Sequence, residues 1–478
     1  MGYMIRPTLL FIYLICVIFV SIYFFNDLLK KRTSQQLNLI LISIDSLRAD
    51  HLGVYGYSKK TTPNIDQWAD DATVFTNAYT VVPETYPSFL SLMTGKYPLS
   101  SRVINHIDSP NSTIDSISPS IKTLGDILRK NKYENGAFLV TGELAPPVSN
   151  LKKDFDTYDY RYHWLTSKSE QKNMINKAIK WLHDKKNSNF FLWIHLIDPH
   201  FPYSPPKTLK CVFNKQMCET ILSKTNPEWE KIRRENEGCR DAPKDIIKSL
   251  ESLYDGEISF SDELFKIISD GIAKEKIDKK TIVILYSDHG EGFDHNYNFN
   301  HGRVLYNSAT QVPLIIKTPF SKGQKVNRLI QNTDITPTIL SLLDIQNPNK
   351  FIEGISFDNV FRKKLFDFFP KKTRKFTYSM SNDLTKYSIF DGRYKYIYSL
   401  ENAACVHETG YEELYDLKQD SKELNNILLE RKSLKEHLKT QLFNHLSKYS
   451  LPIERNKDIN APSDFYKTVI DKLKSMGY

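Results

Sequence analysis

Five short apolar runs constrain this chain more than any other feature. They are LNLILISI (Leu37–Ile44), GAFLV (Gly136–Val140), NFFLWIHLI (Asn189–Ile197), TIVILYS (Thr281–Ser287) and PLIIK (Pro313–Lys317). Each reads as a buried strand, and the first stops abruptly at Asp45. Amphipathic stretches lie between them, such as IKTLGDILRKN (Ile121–Asn131) and MINKAIKWLHDKK (Met174–Lys186). Apolar strands alternating with helical segments predict an α/β domain around a mostly parallel sheet. A length of 478 residues allows one large domain with a smaller appendage, and a chain 40% hydrophobic and 25% charged is neither disordered, collagenous nor a small disulfide scaffold. The net charge of +9 (65 basic against 56 acidic residues) is small for this size. No long Lys/Arg block appears, so no nucleic-acid partner is expected, only a mild preference for anionic substrates or an anionic membrane surface.

The pattern changes after about Leu365. KYSIFDGRYKYIYSL (Lys386–Leu400) reads as a hairpin turning at Asp391-Gly392, followed by a helical stretch over Glu430–Tyr449. The expected organisation is 1–36 membrane anchor and linker, 37–365 catalytic domain, 366–450 smaller α+β subdomain and 451–478 tail. Residues 207–250 contain few apolar residues and read as a surface insertion.

Pro7–Phe25 is free of charge and about as long as the ~20 apolar residues that span a bilayer core. It lacks a small-residue cleavage site and ends in aromatic and basic residues, so it reads as one uncleaved transmembrane helix. Arg6 on one side and Lys30, Lys31 and Arg32 on the other weakly favour the wrong side for an exported domain. Cys211, Cys218, Cys239 and Cys405 lean the other way, because their even count permits two bridges in any of three pairings, with unpaired surface thiols as the alternative reading. The expected function favours a single-pass protein with its catalytic domain outside the cytoplasm.

Polar residues at the carboxyl ends of strands occupy the usual ligand crevice of an open α/β sheet. Asp45 ends the first run, His195, Asp198 and His200 the third, and Asp288 and His289 the fourth. Five of the twelve histidines (195, 200, 289, 295 and 301) fall in the last two of these windows. One such Asp is usually a helix cap and one such His usually a satisfied core residue. Gathered at one sheet edge, they suit a divalent metal with mixed oxygen and nitrogen ligands: Zn²⁺ or Mn²⁺ through imidazole, Ca²⁺ or Mg²⁺ if oxygen dominates. In PETYPSFLSLMTGKYP (Pro83–Pro98), Thr85 is placed to cap a helix that Gly95 ends. A hydroxyl there sits in the positive end of the helix dipole, which stabilises an alkoxide; metal coordination is enough to activate it.

The ordered segments ISIDSLRADHLGVYGY, ETYPSFLSLMTGKYP, HLIDPHFPYSPP, SDHGEGF, HGRVLY and VPLIIKTP resemble the sulfatases of the alkaline-phosphatase superfamily over about Leu37 to Leu428. The resemblance implies an alkaline-phosphatase-like fold. It also implies a divalent metal on Asp45, Thr85, Asp288 and His289, with His195, His200 and His301 contacting the substrate's anionic group or a second metal. Three departures stand out. Thr85-Tyr86-Pro87-Ser88-Phe89 occupies the signature whose first residue becomes formylglycine, which threonine cannot form. Asp45-Ser46 replaces a paired aspartate, and VTGELAPP replaces a Gly-Lys-x-His segment. A threonine nucleophile resembles instead the superfamily's phosphotransferases and phosphodiesterases.

The expected activity is therefore that of a membrane-anchored, metal-dependent hydrolase or transferase of phosphate esters, with a covalent intermediate on Thr85. His195 or His200 would protonate the leaving oxygen, and the substrate would be an anionic ester, with lipids and glycans among the candidates. The alternatives are sulfuric ester hydrolysis without formylglycine, and an inactive binder of glycan or lipid head groups.

Overall fold

The computed structural model describes residues 17, 19–21, 36–101, 120–146, 149–162, 166–214, 244–295, 297–298, 301–349, 352–362, 372–400 and 411–449. An eight-stranded sheet contains β1 (Asn38–Ile44), β2 (Thr73–Tyr79), β3 (Glu134–Val140), β4 (Thr157–Arg161), β5 (Phe190–Leu196), β6 (Thr281–Tyr286), β7 (Leu314–Lys317) and β8 (Gln324–Gln331). Their spatial order is β8-β2-β7-β6-β1-β5-β3-β4. Every pairing is parallel except the two made by β7, which runs against β2 and β6.

All five apolar runs lie in this sheet. The three strands not read from sequence are β2, β4 and β8. They lie toward the sheet's margins, and β4 and β8 are only partly buried, so TYDYR and QKVNRLIQ have no continuous apolar signature.

Period-two alternation explains how the sheet is covered. Ile40, Ile42 and Ile44 of β1 join a core with residues of α4 (Lys168–Lys185) and α5 (Lys244–Lys274). Leu39 and Leu41 join a second core with α2 (Thr85–Thr94), α3 (Leu124–Lys130) and α6 (Ile335–Leu342). A short helix, α1 (Pro63–Ala69), packs with the first. A capping box starts α4 at Lys168, earlier than the expected Met174: the Ser167 hydroxyl accepts from the Glu170 N–H, and the Glu170 carboxylate accepts from the Ser167 N–H.

The expected surface insertion is partly corrected. Its last residues, 244–250, open the 31-residue helix α5. The buried stripe of that helix (Leu250, Leu253, Tyr254, Ile258, Leu264, Phe265, Ile268) starts only where the polar window ends, which hid it.

A second sheet, antiparallel throughout, contains β9 (Thr377–Met380), β10 (Lys386–Phe390), β11 (Tyr394–Ser399) and β12 (Glu412–Asp416) in that order. It packs with α7 (Lys432–Leu446). The β10–β11 hairpin turns at Asp391-Gly392. The Asp391 carboxylate accepts from the Arg393 and Tyr394 N–H groups, and Gly392 takes φ 100°, where a side chain would be strained.

The single-pass membrane reading is corrected. Among the described residues no helix is long and apolar enough to cross a membrane. Of Pro7–Phe25 only Val17, Phe19, Val20 and Ser21 are described, helical and exposed; the rest of that segment lies outside the described residues, as does the tail from Leu451. Cys211 is disulfide-bonded. Cys218, Cys239 and Cys405 also lie outside the described residues.

On α7, His445 is buried and stacks on Tyr378 at 3.6 Å. Burial, helped by the charges of Lys448 and Arg374, holds its pKa down from 6.5 to about 3. The unfolded chain gains this proton near pH 6.5, whereas the folded chain refuses it until about 3. Stability should therefore fall as pH drops through that window, by up to ~1.4 kcal/mol per pH unit. Denaturant titrations at pH 7 and at pH 4–5 should show a smaller acid loss in His445→Phe than in wild type; equal losses would contradict this.

Candidate active site

Because β6, β1 and β5 are neighbours, their carboxyl ends bring three chemical segments together. Asp45 follows β1, Asp288 and His289 follow β6, and His195 is the penultimate residue of β5. All four side chains are buried. Thr85, also buried, is the first residue of α2. The cap position belongs to Glu84, and no side-chain cap bond forms, so Thr85 is not the expected cap. Gly95 ends α2 as expected, at φ 67°.

A strained turn aims Asp45. Ser46 takes φ 55°, a conformation that costs a non-glycine residue roughly 1–3 kcal/mol unless its surroundings hold it. Its amide donates to Asp288 Oδ1 (3.3 Å) and its hydroxyl to Asp45 Oδ1 (2.8 Å). From α5, the Tyr254 hydroxyl donates to the Ser46 carbonyl (2.7 Å) and accepts from the Arg48 N–H (2.9 Å).

The contacts of His195 accommodate the tautomer that a metal ligand at Nε2 requires. Trp193 Nε1 donates to Ser43 Oγ (2.9 Å), while that hydroxyl's own proton goes to the Ile194 carbonyl (3.4 Å). The oxygen's remaining lone pair accepts from His195 Nδ1 at 2.9 Å. Nε2 then carries a lone pair, and it lies 3.3 Å from Asp45 Oδ2 with no hydrogen-bond partner. Asp288 Oδ2 is likewise buried and unpartnered. Ligand atoms of Asp45, His195 and Asp288 all lie within 4.8 Å of one another. Electron-rich atoms converging in a buried space need a cation, so the donor set fits a divalent metal.

The remaining expected residues line the same space. Thr85 Oγ1 is 3.2 Å from His289 Nε2 and 3.4 Å from Asp45 Oδ2. His289 Nδ1 donates to the Gly290 carbonyl (2.9 Å), which turns Nε2 to the threonine. Burial works against a charged His289, but Asp288 and Asp45 outweigh it and raise its pKa to about 9. Burial also raises Asp45, yet the charges of His200 and His289 hold it below the usual carboxylate range. Asp288 is pushed up by burial and by the charge of Asp45.

Next to His289, the His301 ring lies 4.0 Å from that of His289 and 5.3 Å from that of His200. His301 Nδ1 donates to Glu291 Oε1 (3.3 Å), and His200 Nδ1 donates to the Phe201 carbonyl (2.6 Å). His295 stands apart: it stacks on Tyr306 at 3.7 Å and bonds the Glu423 carbonyl. Sequence reasoning missed Ser43 and Glu291. Ser43 has a signal, as the one hydroxyl within the apolar run Leu39–Ile44, two residues before Asp45; Glu291 has only its place beside Asp288-His289.

Family models match most of the chain. One for sulfatases matches residues 37–345, and one described as N-sulphoglucosamine sulphohydrolase, C-terminal, matches 295–450. An arylsulfatase of Clostridium perfringens is 24% identical over 457 residues, covering 82% of this chain and 90% of its own. The phosphonate monoester hydrolase of Agrobacterium radiobacter has a similar structure, with a TM-score of 0.66 at 18% identity over 86% of this chain and 96% of its own. So does a protein solved with its substrate D-glucosamine-2-N,6-O-disulfate, with a TM-score of 0.67 at 19% identity over 88% of this chain and 100% of its own.

Ser43→Ala removes the acceptor for His195 Nδ1. Losing an outer hydrogen bond to a metal-binding histidine typically costs about 10–100-fold in metal affinity. Calorimetric titration of Ser43→Ala with Zn²⁺ or Mn²⁺ should show a loss of that order; unchanged affinity would contradict it.

Proposed function

The chain belongs to the sulfatase family of the alkaline-phosphatase superfamily and is a hydrolase, and on that premise we propose that it cleaves phosphate or phosphonate esters through a covalent intermediate on Thr85. The supporting observation is the Thr85 hydroxyl itself, an unconvertible alcohol in the formylglycine slot, at a helix start and within 3.4 Å of Asp45 and 3.2 Å of His289.

Thr85 Oγ1 gives its proton to Asp45 Oδ2 and attacks phosphorus, while the ester bond to the leaving oxygen breaks; His289, already protonated, donates to the developing oxygen charge. That oxygen takes a proton from His200 or His301. Their Nδ1 atoms are committed to Phe201 and Glu291, so Nε2 is the nitrogen that exchanges protons. Water then gives a proton to the histidine that lost one and attacks the phosphoryl-threonine; the bond to Oγ1 breaks, and Asp45 returns the proton that restores the hydroxyl. The positive end of α2 favours the alkoxide and the anionic group. A divalent metal, for which Asp45, His195 and Asp288 supply ligands, would neutralise developing charge and lower the hydroxyl pKa. Imidazole among the donors favours Zn²⁺ or Mn²⁺ over Ca²⁺. His195, fully buried, serves better here as a ligand than as the leaving-group acid expected from sequence.

Family membership supports a second reading, hydrolysis of a sulfate ester by the same threonine, on a sulfated glycan or an aryl sulfate. Aryl phosphate, phosphonate monoester and aryl sulfate substrates separate the two.

Thr85→Ala should lose at least ~10²–10⁴-fold in kcat, the range that general acid–base help alone supplies, and Thr85→Ser should keep part of the activity. Intact-mass measurement with a slow phosphate ester should show a phosphoryl adduct on wild type and none on Thr85→Ala. A sulfuryl adduct would favour the second reading. Near-full activity of Thr85→Ala would exclude both.

A further inference from the structure

We propose that Lys168 and Glu257, through Asp198 and the Ser204 amide, are positioning residues that hold the loop carrying His200 in register with the Asp45 turn; this rests on the reading of His200 as a site residue. The loop leaves β5 at Ile197 and contains Pro199 and Pro202, so it has few N–H groups of its own to fix it. Within it, the His200 N–H donates to the Ile197 carbonyl (2.9 Å).

The other anchors come from two helices. On the near side of His200, Gln171 Nε2 of α4 donates to Asp198 Oδ2 (2.9 Å), and Ser261 Oγ of α5 donates to the Asp198 carbonyl (2.6 Å). On the far side, the Ser204 N–H donates to Glu257 Oε1 (2.6 Å). Lys168 Nζ joins the two sides by donating to Asp198 Oδ1 and, at 2.6 Å, to Glu257 Oε2. Asp198 and Glu257 are both buried, and Lys168 lies over the Phe260 ring at 5.0 Å.

Two buried carboxylates on one ammonium make a costly arrangement, because desolvation of ions is only partly offset by pairing. Its atoms converge on the residues flanking His200. Tyr254, Glu257 and Ser261 have i, i+3, i+7 spacing and so share one face of α5. Tyr254 holds the Ser46 turn, while the other two hold the His200 loop. One face of one helix thus sets the distance between the nucleophile side and the proton-donor side of the site.

The test is a double-mutant cycle with hydrogen exchange. Lys168→Met should lower kcat about 10–100-fold, as a displacement of order 1 Å does to a positioned group. Lys168→Arg should restore part of that loss. In the His200→Ala background Lys168→Met should cost nothing further, since the group it positions is gone. Amides of residues 198–205 should exchange faster in Lys168→Met, with metal affinity unchanged. Equal losses in both backgrounds, or loop exchange like that of wild type, would overturn the proposal. Full activity of His200→Ala alone would overturn the reading of His200 instead, and the exchange result would still decide whether the clamp exists.

Discussion

Two carboxylates and an imidazole lone pair meet in a fully buried space at the middle of the sheet, and much of the fold is arranged around that repulsion. Asp45 and Asp288 end adjacent strands, so β1 and β6 cannot pair in their register without bringing the two acids together. The ion that would relieve the repulsion is the same agent that would activate Thr85 beside it. The positive end of the α2 dipole and the protonated imidazole of His289 add to the same positive field, which suits a tetrahedral anion.

The site depends on parts with no chemistry of their own. Ser43 interrupts an apolar strand, bonds His195 and satisfies Trp193. Tyr254 keeps a serine in a left-handed turn. Ser88, on the first turn of α2, donates to the Asp288 carbonyl (2.8 Å) and receives Asn332 Nδ2 (3.2 Å), which ties the helix of Thr85 to the β6 end. Each is a buried polar group whose hydrogen bonds are made, as a low-dielectric interior requires.

Much of this is legible in the sequence. The strands that matter are buried on both faces, which leaves continuous apolar runs, and the acids appear as abrupt stops to those runs. Asp45, His200, Asp288 and His289 are picked out by their places after those runs, Thr85 by its place at a predicted helix start and His301 by the clustering of histidines. What is not legible has three physical sources. Marginal strands such as β4 and β8 mix polar and apolar residues because they are half-exposed. The start of α5 is polar, so the helix that braces both loops reads as an insertion. The environment of His195 comes from Ser43 on a neighbouring strand, a contact 152 residues away in sequence. The apolar segment near the amino terminus illustrates the opposite error, since its hydrophobicity reads as a span that no described helix provides.

Anomalous diffraction from crystals grown with Zn²⁺ or Mn²⁺ tests the central claim most directly. The account predicts an absorption-edge peak bonded to Asp45, His195 Nε2 and Asp288, at about 2.0–2.2 Å for oxygen and nitrogen ligands. A metal bound elsewhere, or Asp45 and Asp288 bridged by a proton with His195 turned away, would contradict it.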